Sequence, residues 1–143
     1  MAGDSNFIGP VSGGEMTPSY AWVVNQDTLE FGVVSIDASA ASDAGNSAFR
    51  TTYLRPGLAL GKITATGLYA HYQPAAGDGT ETIAAILAQG VDLLDPLGQT
   101  KTEDPAGVKV VLKGHVDADQ IILIDAAGKT DLRNAGFLLK EDY

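Results

Sequence analysis

The alternation of apolar and polar residues is most regular in residues 55–79, and this segment organises the prediction of the fold. Pro56 and Gly57 fit the central positions of a type II turn, because proline fixes φ and glycine tolerates positive φ. Residues 58–63 then alternate between the two sides of an extended chain, and a second extended run follows at residues 68–72. This pattern predicts a β-hairpin that is closed by a structured loop.

The other apolar runs predict further short strands with irregular segments between them. Residues 82–88 also fit helical spacing, but the Asp78-Gly79 turn dipeptide in front of them favours a strand. Residues 37–47 are small and polar and predict a mobile surface loop, residues 95–107 predict a second loop, and residues 121–124 form an apolar run that we expect to be buried. The predicted strands outside the hairpin are residues 20–24 and 29–36 (with a turn at 25–27 between them), 49–54, 82–88, 108–116 and 137–139.

One helix is predicted between Asp125 and Gly136. The Asp125 carboxylate can cap this helix by accepting the unpaired amides of its first turn, and Gly136 suits the left-handed position that ends a helix. Gly128 weakens the helix by about 1 kcal/mol relative to alanine. The strands together with this helix predict a β-rich α+β fold.

The N-terminal segment has little periodicity and is rich in glycine and proline. Such a segment cannot bury enough apolar surface to fold alone, yet Phe7, Ile8 and Val11 are apolar. We therefore divide the chain into an N-terminal arm at residues 1–18, which becomes ordered on a partner, and a single domain at residues 19–143. The alternative is an ordinary frayed chain end.

Composition narrows the function classes. Apolar residues make up 45% of the 143 residues, and no apolar run approaches the ~18 residues of a membrane span, so we predict a globular protein without a membrane partner. The first residues carry neither a basic leader nor an apolar signal core, so export is not expected. The absence of cysteine excludes disulfides and thiol catalysis and fits assembly in a reducing cytoplasm.

The formal net charge of −9 disfavours nucleic acid as a partner, because a surface this acidic repels a polyanion. The charge is unevenly distributed, since six acidic residues and no basic residue precede Arg50. Ordinary solubility explains this excess, and the more specific alternative is a region that faces a basic partner.

The local motifs of catalysis and cofactor binding are missing from the sequence. Residues 57–62 (GLALGK) imitate a phosphate loop, but the spacing is one residue short, Ile63 replaces the required hydroxyl residue, and the glycines lie in strand sequence. His71 and His115 lie on different predicted strands, and Asp117-x-Asp119 lacks the glycine and glutamate of a calcium loop. We predict no catalytic residue, no cofactor and no metal.

Two segments carry a recognisable pattern: RPGLALGKITATG at residues 55–67 and PAAGDGTE at residues 74–81. They resemble the bacteriophage head decoration proteins, the broad family that includes the capsid-stabilising decoration protein of phage lambda. The resemblance extends to about residue 139, whereas the region before Arg55 does not align, and Ala85 replaces a usual glycine. The residues that match the family pattern are Arg55, Gly57, Gly61, Lys62, Gly67, Asp78, Gly79, Asp125 and Gly136.

The resemblance implies a structural virion protein and not an enzyme. Such a protein binds as a homotrimer at three-fold and quasi-three-fold sites on the outer surface of the expanded head, where it stabilises the shell against the pressure of packaged DNA. Its partners would be its own copies and the major capsid protein of a tailed phage, after synthesis in the host cytoplasm. Together with the predicted strands, the family resemblance implies a small, curved, partly open β-barrel with one C-terminal helix. The arm residues that we expect to contact the capsid are Phe7, Ile8, Pro10 and Val11.

Two alternatives come from other function classes. A carbohydrate- or peptide-binding β module would expose Trp22, Tyr69 and Tyr72 as an aromatic platform, although Trp22 lies in an apolar run that favours the core. A small hydrolase would instead bring together residues such as Asp92, His115 and Asp117 in one cleft. Both alternatives can be tested by the positions of these side chains.

Overall fold

The computed structural model of the protein describes residues 21–142. This part of the chain consists of eight strands, one α-helix near its C-terminal end and two short 3-10 turns. The helix α1 spans Ala126–Ala135, and the 3-10 turns span Ala118–Gln120 and Lys140–Asp142. The strands are β1 (Val23–Val34), β2 (Tyr53–Leu54), β3 (Ala59–Lys62), β4 (Tyr69–His71), β5 (Ala85–Leu87), β6 (Val91–Asp92), β7 (Val108–Val116) and β8 (Leu138–Leu139).

Six strands form one sheet in the order β1-β7-β5-β3-β4, with β8 pairing in parallel with the end of β7. The strands β2 and β6 form a separate two-stranded sheet. The large sheet is open, since β1 and β4 are its edges and only an isolated bridge between Ile36 and Tyr69 joins the chain after β1 to β4. The predicted strand-rich α+β fold with one C-terminal helix is therefore confirmed, and among residues 21–142 the predicted partly open sheet does not close into a barrel.

The hairpin predicted from residues 55–79 is confirmed. Gly57 has φ of +97°, and the Leu58 N–H donates to the Arg55 carbonyl at 3.3 Å, which closes the predicted turn. The strands β3 and β4 then pair antiparallel, with Leu60 opposite His71 and two further residue pairs beyond. Residues 95–107 contain no strand, and β7 has the predicted bounds.

The two strands predicted at residues 20–24 and 29–36 are wrong as separate elements, because they are one continuous strand, β1. The register against β7 shifts between Asn25 and Glu30, so the predicted turn is a bulge. The Asn25 side chain accepts the Asp27 N–H at 3.0 Å, and the His115 N–H of β7 donates to the Thr28 hydroxyl at 2.9 Å. These bonds satisfy the bulge and keep it attached to its neighbour.

The predictions for other segments differ from the structure because tertiary packing changes these segments. Residues 37–47 are irregular, as predicted, but they pack against the core and are not a solvated surface loop, since Ala38, Ala41 and Asp43 are buried. The strands predicted at 49–54 and 82–88 shorten to β2 and β5. In residues 121–124, Leu123 is half-exposed and has φ of +62°.

Both faces of the large sheet are buried. Leu60 and Val110 belong to one core cluster, whereas their chain neighbours Ala59 and Val111 belong to the other. Residues 36–41 and the small sheet cover the first face, and α1 covers part of the second through Leu132. This explains why the central strands are apolar throughout instead of alternating. None of the helices in the described residues is long and apolar enough to cross a membrane.

Candidate functional site

The first residue of the family pattern, Arg55, holds the irregular segment 37–47 to the hairpin. Its Nε donates to Oδ2 of Asp43 at 2.8 Å and its Nη2 donates to Oδ1 at 3.0 Å. The Asp43 carboxylate is fully buried and also accepts the Arg55 backbone N–H at 3.2 Å. The bond to this carboxylate raises the pKa of Arg55. Arg55 therefore serves as an internal tie and is not a free binding group.

Gly57 is required by the turn and by its neighbour. A Cβ at this position would lie 2.7 Å from Cδ1 of Trp22, so the indole packs directly on the glycine. The positive φ of Gly57 adds a second reason, because other residues rarely adopt it. Trp22 is buried, which confirms its prediction as a core residue.

The glycines of the pattern also let the loop after β4 lie against β3. A Cβ on Gly61 would be 2.5 Å from Cα of Thr80, and the Thr64 N–H donates to the Asp78 carbonyl at 2.8 Å. The Asp78 side chain accepts the Thr80 N–H at 3.0 Å, and the Thr80 hydroxyl bond lowers the pKa of Asp78. Among the other pattern residues, Lys62 is an exposed strand residue, Gly67 turns the hairpin with φ of +76°, and Gly79 follows Asp78 with φ of +112°.

The end of the pattern connects the hairpin to α1. Asp125 caps the helix, as predicted, by accepting the Gly128 N–H at 2.7 Å, and Gly136 ends it in the left-handed conformation. The Tyr72 hydroxyl also donates to Asp125 at 2.7 Å, and this bond lowers the pKa of the carboxylate, while burial raises the pKa of Tyr72. A second hydrogen bond to α1 is donated by the Ile83 N–H to Oδ2 of Asp131, at 3.2 Å.

All nine pattern residues thus lie within the described structure, and most are used to build it. Sequence reasoning missed two of their partners, Asp43 and Tyr72, for which the only local signals were a polar residue in a small-residue segment and an aromatic residue. The predicted arm residues Phe7, Ile8, Pro10 and Val11 lie outside the described residues.

The features expected of the alternative functions do not come together. Trp22 and Tyr72 are buried, so they cannot form an aromatic platform with Tyr69. Asp92 lies in the small two-stranded sheet, opposite Tyr53, and forms an ion pair with Arg50 at 2.7 Å. His115 lies on β7 of the large sheet, so these two candidate hydrolase residues are on different sheets.

Residues with metal-binding side chains do not gather in the part of the chain that the structure describes, where no group of three or more is found. His71 is used structurally, because its Nδ1 accepts the Ser42 N–H at 3.0 Å and burial lowers its pKa. The phosphate-loop imitation spans the turn and β3 and is not followed by a helix.

The acidic excess before Arg50 is not a simple acidic face. Asp43 is buried against Arg55, and the Asp37 side chain accepts the N–H groups of Ser39 and Ala40 at 3.0 and 3.1 Å. These two carboxylates therefore satisfy the backbone of the irregular segment, whereas Asp27 and Glu30 are exposed on β1, and Asp4 and Glu15 lie outside the described residues.

Comparison with protein-family models shows which family the chain belongs to. The model of the bacteriophage lambda head decoration protein D family matches residues 25–138, which is most of the chain. The chain belongs to this family. The match begins upstream of Arg55, so the head decoration domain includes β1, which the sequence pattern alone did not align. No individual curated protein matches the chain significantly. As a head decoration protein, the chain belongs with structural proteins of the phage capsid and not with an enzyme family.

Proposed function

We propose that the protein binds as a homotrimer at the three-fold and quasi-three-fold sites of an expanded phage head and stabilises the shell against the pressure of packaged DNA. Its partners are its own copies and the major capsid protein of a tailed phage. It acts on the outer surface of the capsid after synthesis in the host cytoplasm. The match to the head decoration family over residues 25–138 is the observation that carries this proposal.

The contacts of the pattern residues support the proposal that these residues stabilise the domain and that the arm binds the capsid. Arg55, Gly57 and Asp125 are used within the domain, in an ion pair, a packed turn and a helix cap. Because these groups are already paired or packed, the capsid must be contacted by other residues. We assign this contact to the arm at residues 1–18, with the rest of the chain, residues 19–143, as one domain.

Multivalency provides the strength of attachment. A single arm contributes only modest affinity, because it loses conformational entropy when it becomes ordered on the shell. Three arms on one rigid trimer bind as a unit, which raises the avidity about 10²–10⁴-fold over a single arm. A trimer that bridges neighbouring capsid subunits then opposes their outward displacement.

The test is a sedimentation assay with expanded, undecorated capsids. Deletion of residues 1–17 should leave a folded trimer that no longer co-sediments with the capsids. Replacement of Phe7, Ile8 and Val11 together by serine should have the same effect, because it removes the apolar contact. The matched control replaces Ser5 and Ser12 by alanine, which changes the same segment without removing apolar groups, and should bind normally.

Two results would contradict the proposal, and each would refute a different part of it. Full binding by the deletion variant would refute the assignment of the arm while leaving capsid decoration intact. Failure of the intact protein to bind expanded capsids of its phage would refute capsid decoration itself.

A further inference from the structure

The loop after β4 contains a dipeptide that is chemically labile by its sequence. Asp78-Gly79 is the only Asp-Gly pair among the 143 residues, and the sequence contains no Asn-Gly pair. An aspartate that precedes glycine isomerises readily in a flexible peptide, because glycine has no side chain to shield its amide nitrogen and adopts many backbone conformations. Asp78 is exposed and Gly79 is half-buried, so water reaches this pair.

The isomerisation takes place between atoms of these two residues and needs no cofactor. The Gly79 nitrogen attacks Cγ of the protonated Asp78 carboxyl group, a C–N bond forms, and the carboxyl OH leaves as water with the amide proton, which gives a cyclic succinimide. Water then opens the ring at either carbonyl. Opening at the main-chain carbonyl leaves the chain running through the former side chain, which is isoaspartate, and nothing is oxidised or reduced.

The fold holds the carboxyl group in an unreactive form. Oδ1 of Asp78 accepts the Thr80 N–H at 3.0 Å and the Thr80 hydroxyl at 2.5 Å. Thr80 is fully buried, so both donors are fixed in place. These bonds lower the pKa of Asp78, with the hydroxyl bond as the largest cause. The carboxylate therefore stays ionised at neutral pH, and an ionised carboxylate resists attack because it lacks the OH that must leave.

The attacking nitrogen is held by a different residue. The Gly79 N–H donates to Oε1 of Glu81 at 2.9 Å. A charged acceptor makes this bond stronger than a bond to a neutral group. Because the reaction requires the nitrogen to approach Cγ of Asp78 and to release its proton, a bond that directs the N–H to Glu81 opposes the attack.

The surroundings of the pair have no room for the product. The Asp78 carbonyl accepts the Thr64 N–H at 2.8 Å, which attaches the loop to the chain just after β3. A Cβ on Gly79 would clash with the Lys62 carbonyl oxygen and would lie 2.6 Å from the Thr64 hydroxyl. Isoaspartate adds a methylene group to the main chain at this point. The lengthened loop therefore loses its bond to Thr64.

We propose that Asp78-Gly79 is the site of spontaneous isoaspartate formation in this protein and that Glu81 suppresses the reaction by holding the Gly79 amide. The reaction proceeds from molecules in which this loop has opened locally, since both reacting groups are occupied in the closed loop. The inference depends on neither the homotrimer nor the binding of capsids.

The test measures isoaspartate in purified full-length protein that is aged at neutral pH and physiological temperature. An endoprotease that cleaves before aspartate but not before isoaspartate reports the modified fraction at residue 78, which mass spectrometry quantifies. Glu81→Ala should isomerise about tenfold faster, because it loses a hydrogen bond to a charged acceptor. Glu81→Gln keeps an acceptor oxygen and should stay within about twofold of the unmodified protein. Thr82→Ala is the matched control, since it changes an exposed neighbour and leaves both hydrogen bonds intact.

Three results would overturn the inference. An unchanged rate in Glu81→Ala would mean that Glu81 does not restrain the amide. Slower reaction in both Glu81→Ala and Glu81→Gln would mean that the carboxylate acts as a base and promotes the attack. Isoaspartate that forms first at another aspartate would refute the assignment of the site.

A measurement on the unmodified protein decides the case if Glu81→Ala fails to fold by circular dichroism. Isomerisation at Asp78 should be at least about tenfold faster in denaturing urea than in buffer, because unfolding frees both reacting groups. Equal rates would overturn the inference. In addition, the Thr64 amide should exchange faster in the isomerised fraction than in fresh protein, and equal exchange would contradict the predicted loss of the loop contact.

Discussion

Removal of Arg55 should destabilise the protein more than removal of Asp43, although the two residues form a single ion pair. The Asp43 side chain is fully buried, whereas the Arg55 side chain is 36% exposed. In Arg55→Ala the carboxylate remains buried without its cation. In Asp43→Ala the guanidinium can turn into water, and only the Arg55 backbone N–H loses an acceptor.

The expected magnitudes follow from this difference in burial. An uncompensated buried charge costs about 3–5 kcal/mol, so Arg55→Ala should lower the free energy of unfolding by that amount. An unpaired backbone amide costs about 1–3 kcal/mol, which sets the expected loss for Asp43→Ala. The double variant Asp43→Ala/Arg55→Ala should be more stable than Arg55→Ala alone, because the second substitution removes the stranded carboxylate.

The assay is urea unfolding followed by circular dichroism at one fixed protein concentration, since the stability of an oligomer depends on concentration. The expected result is that adding Asp43→Ala to the Arg55→Ala variant restores part of the stability that Arg55→Ala removes. A double variant less stable than either single variant would refute this reasoning, because it would mean that the two side chains contribute independently.

Three further predictions test other parts of the structure. Tyr72→Phe removes the bond to Asp125 and should cost about 1–2 kcal/mol in urea unfolding, whereas the control Tyr69→Phe should cost less than about 0.5 kcal/mol. Gly57→Ala should cost about 2–3 kcal/mol and shift Trp22 fluorescence, because it combines left-handed strain with a steric clash; an equal loss in Gly98→Ala, which lacks a close neighbour, would exclude the clash. His71 should make stability depend on pH.

The sign of that pH dependence follows from burial, which lowers the pKa of His71 below 6.5 in the folded state, against the opposing charges of Asp43 and Asp78. Between the folded and unfolded pKa values the unfolded chain binds more protons, so stability should fall as the pH decreases below 6.5. Protonation of Nδ1 also removes the acceptor of the Ser42 N–H. Urea midpoints between pH 5 and 7.5 should vary less in His71→Gln, and an identical pH profile would contradict this role.

The sequence predicted features that neighbouring residues determine. The turn at Pro56 and Gly57, the helix cap at Asp125 and the helix end at Gly136 depend on φ preferences and on side chains within about four residues. The motif that carries the family resemblance is also local, because most of it lies in the hairpin of residues 55–79. These predictions are confirmed in their bounds and in their bonding.

The features that sequence reasoning missed depend on residues far apart in the chain. The bond between Tyr72 and Asp125 joins residues separated by 53 positions, and the Asp104 side chain that accepts the Ala38 N–H is separated from it by 66 positions. Small polar residues at 37–47 look like a solvated loop until such partners are in place. The β1 bulge was mistaken for a turn because local bonds of Asn25 satisfy either geometry.

The central claim, that this protein fastens several capsid subunits together, is tested most directly by counting the chains bound to expanded, undecorated heads at saturation. The account predicts saturable binding with three chains for each three-fold or quasi-three-fold site and increased resistance of the decorated heads to rupture. A saturated head that carries one chain per site, or no chain at all, would contradict it.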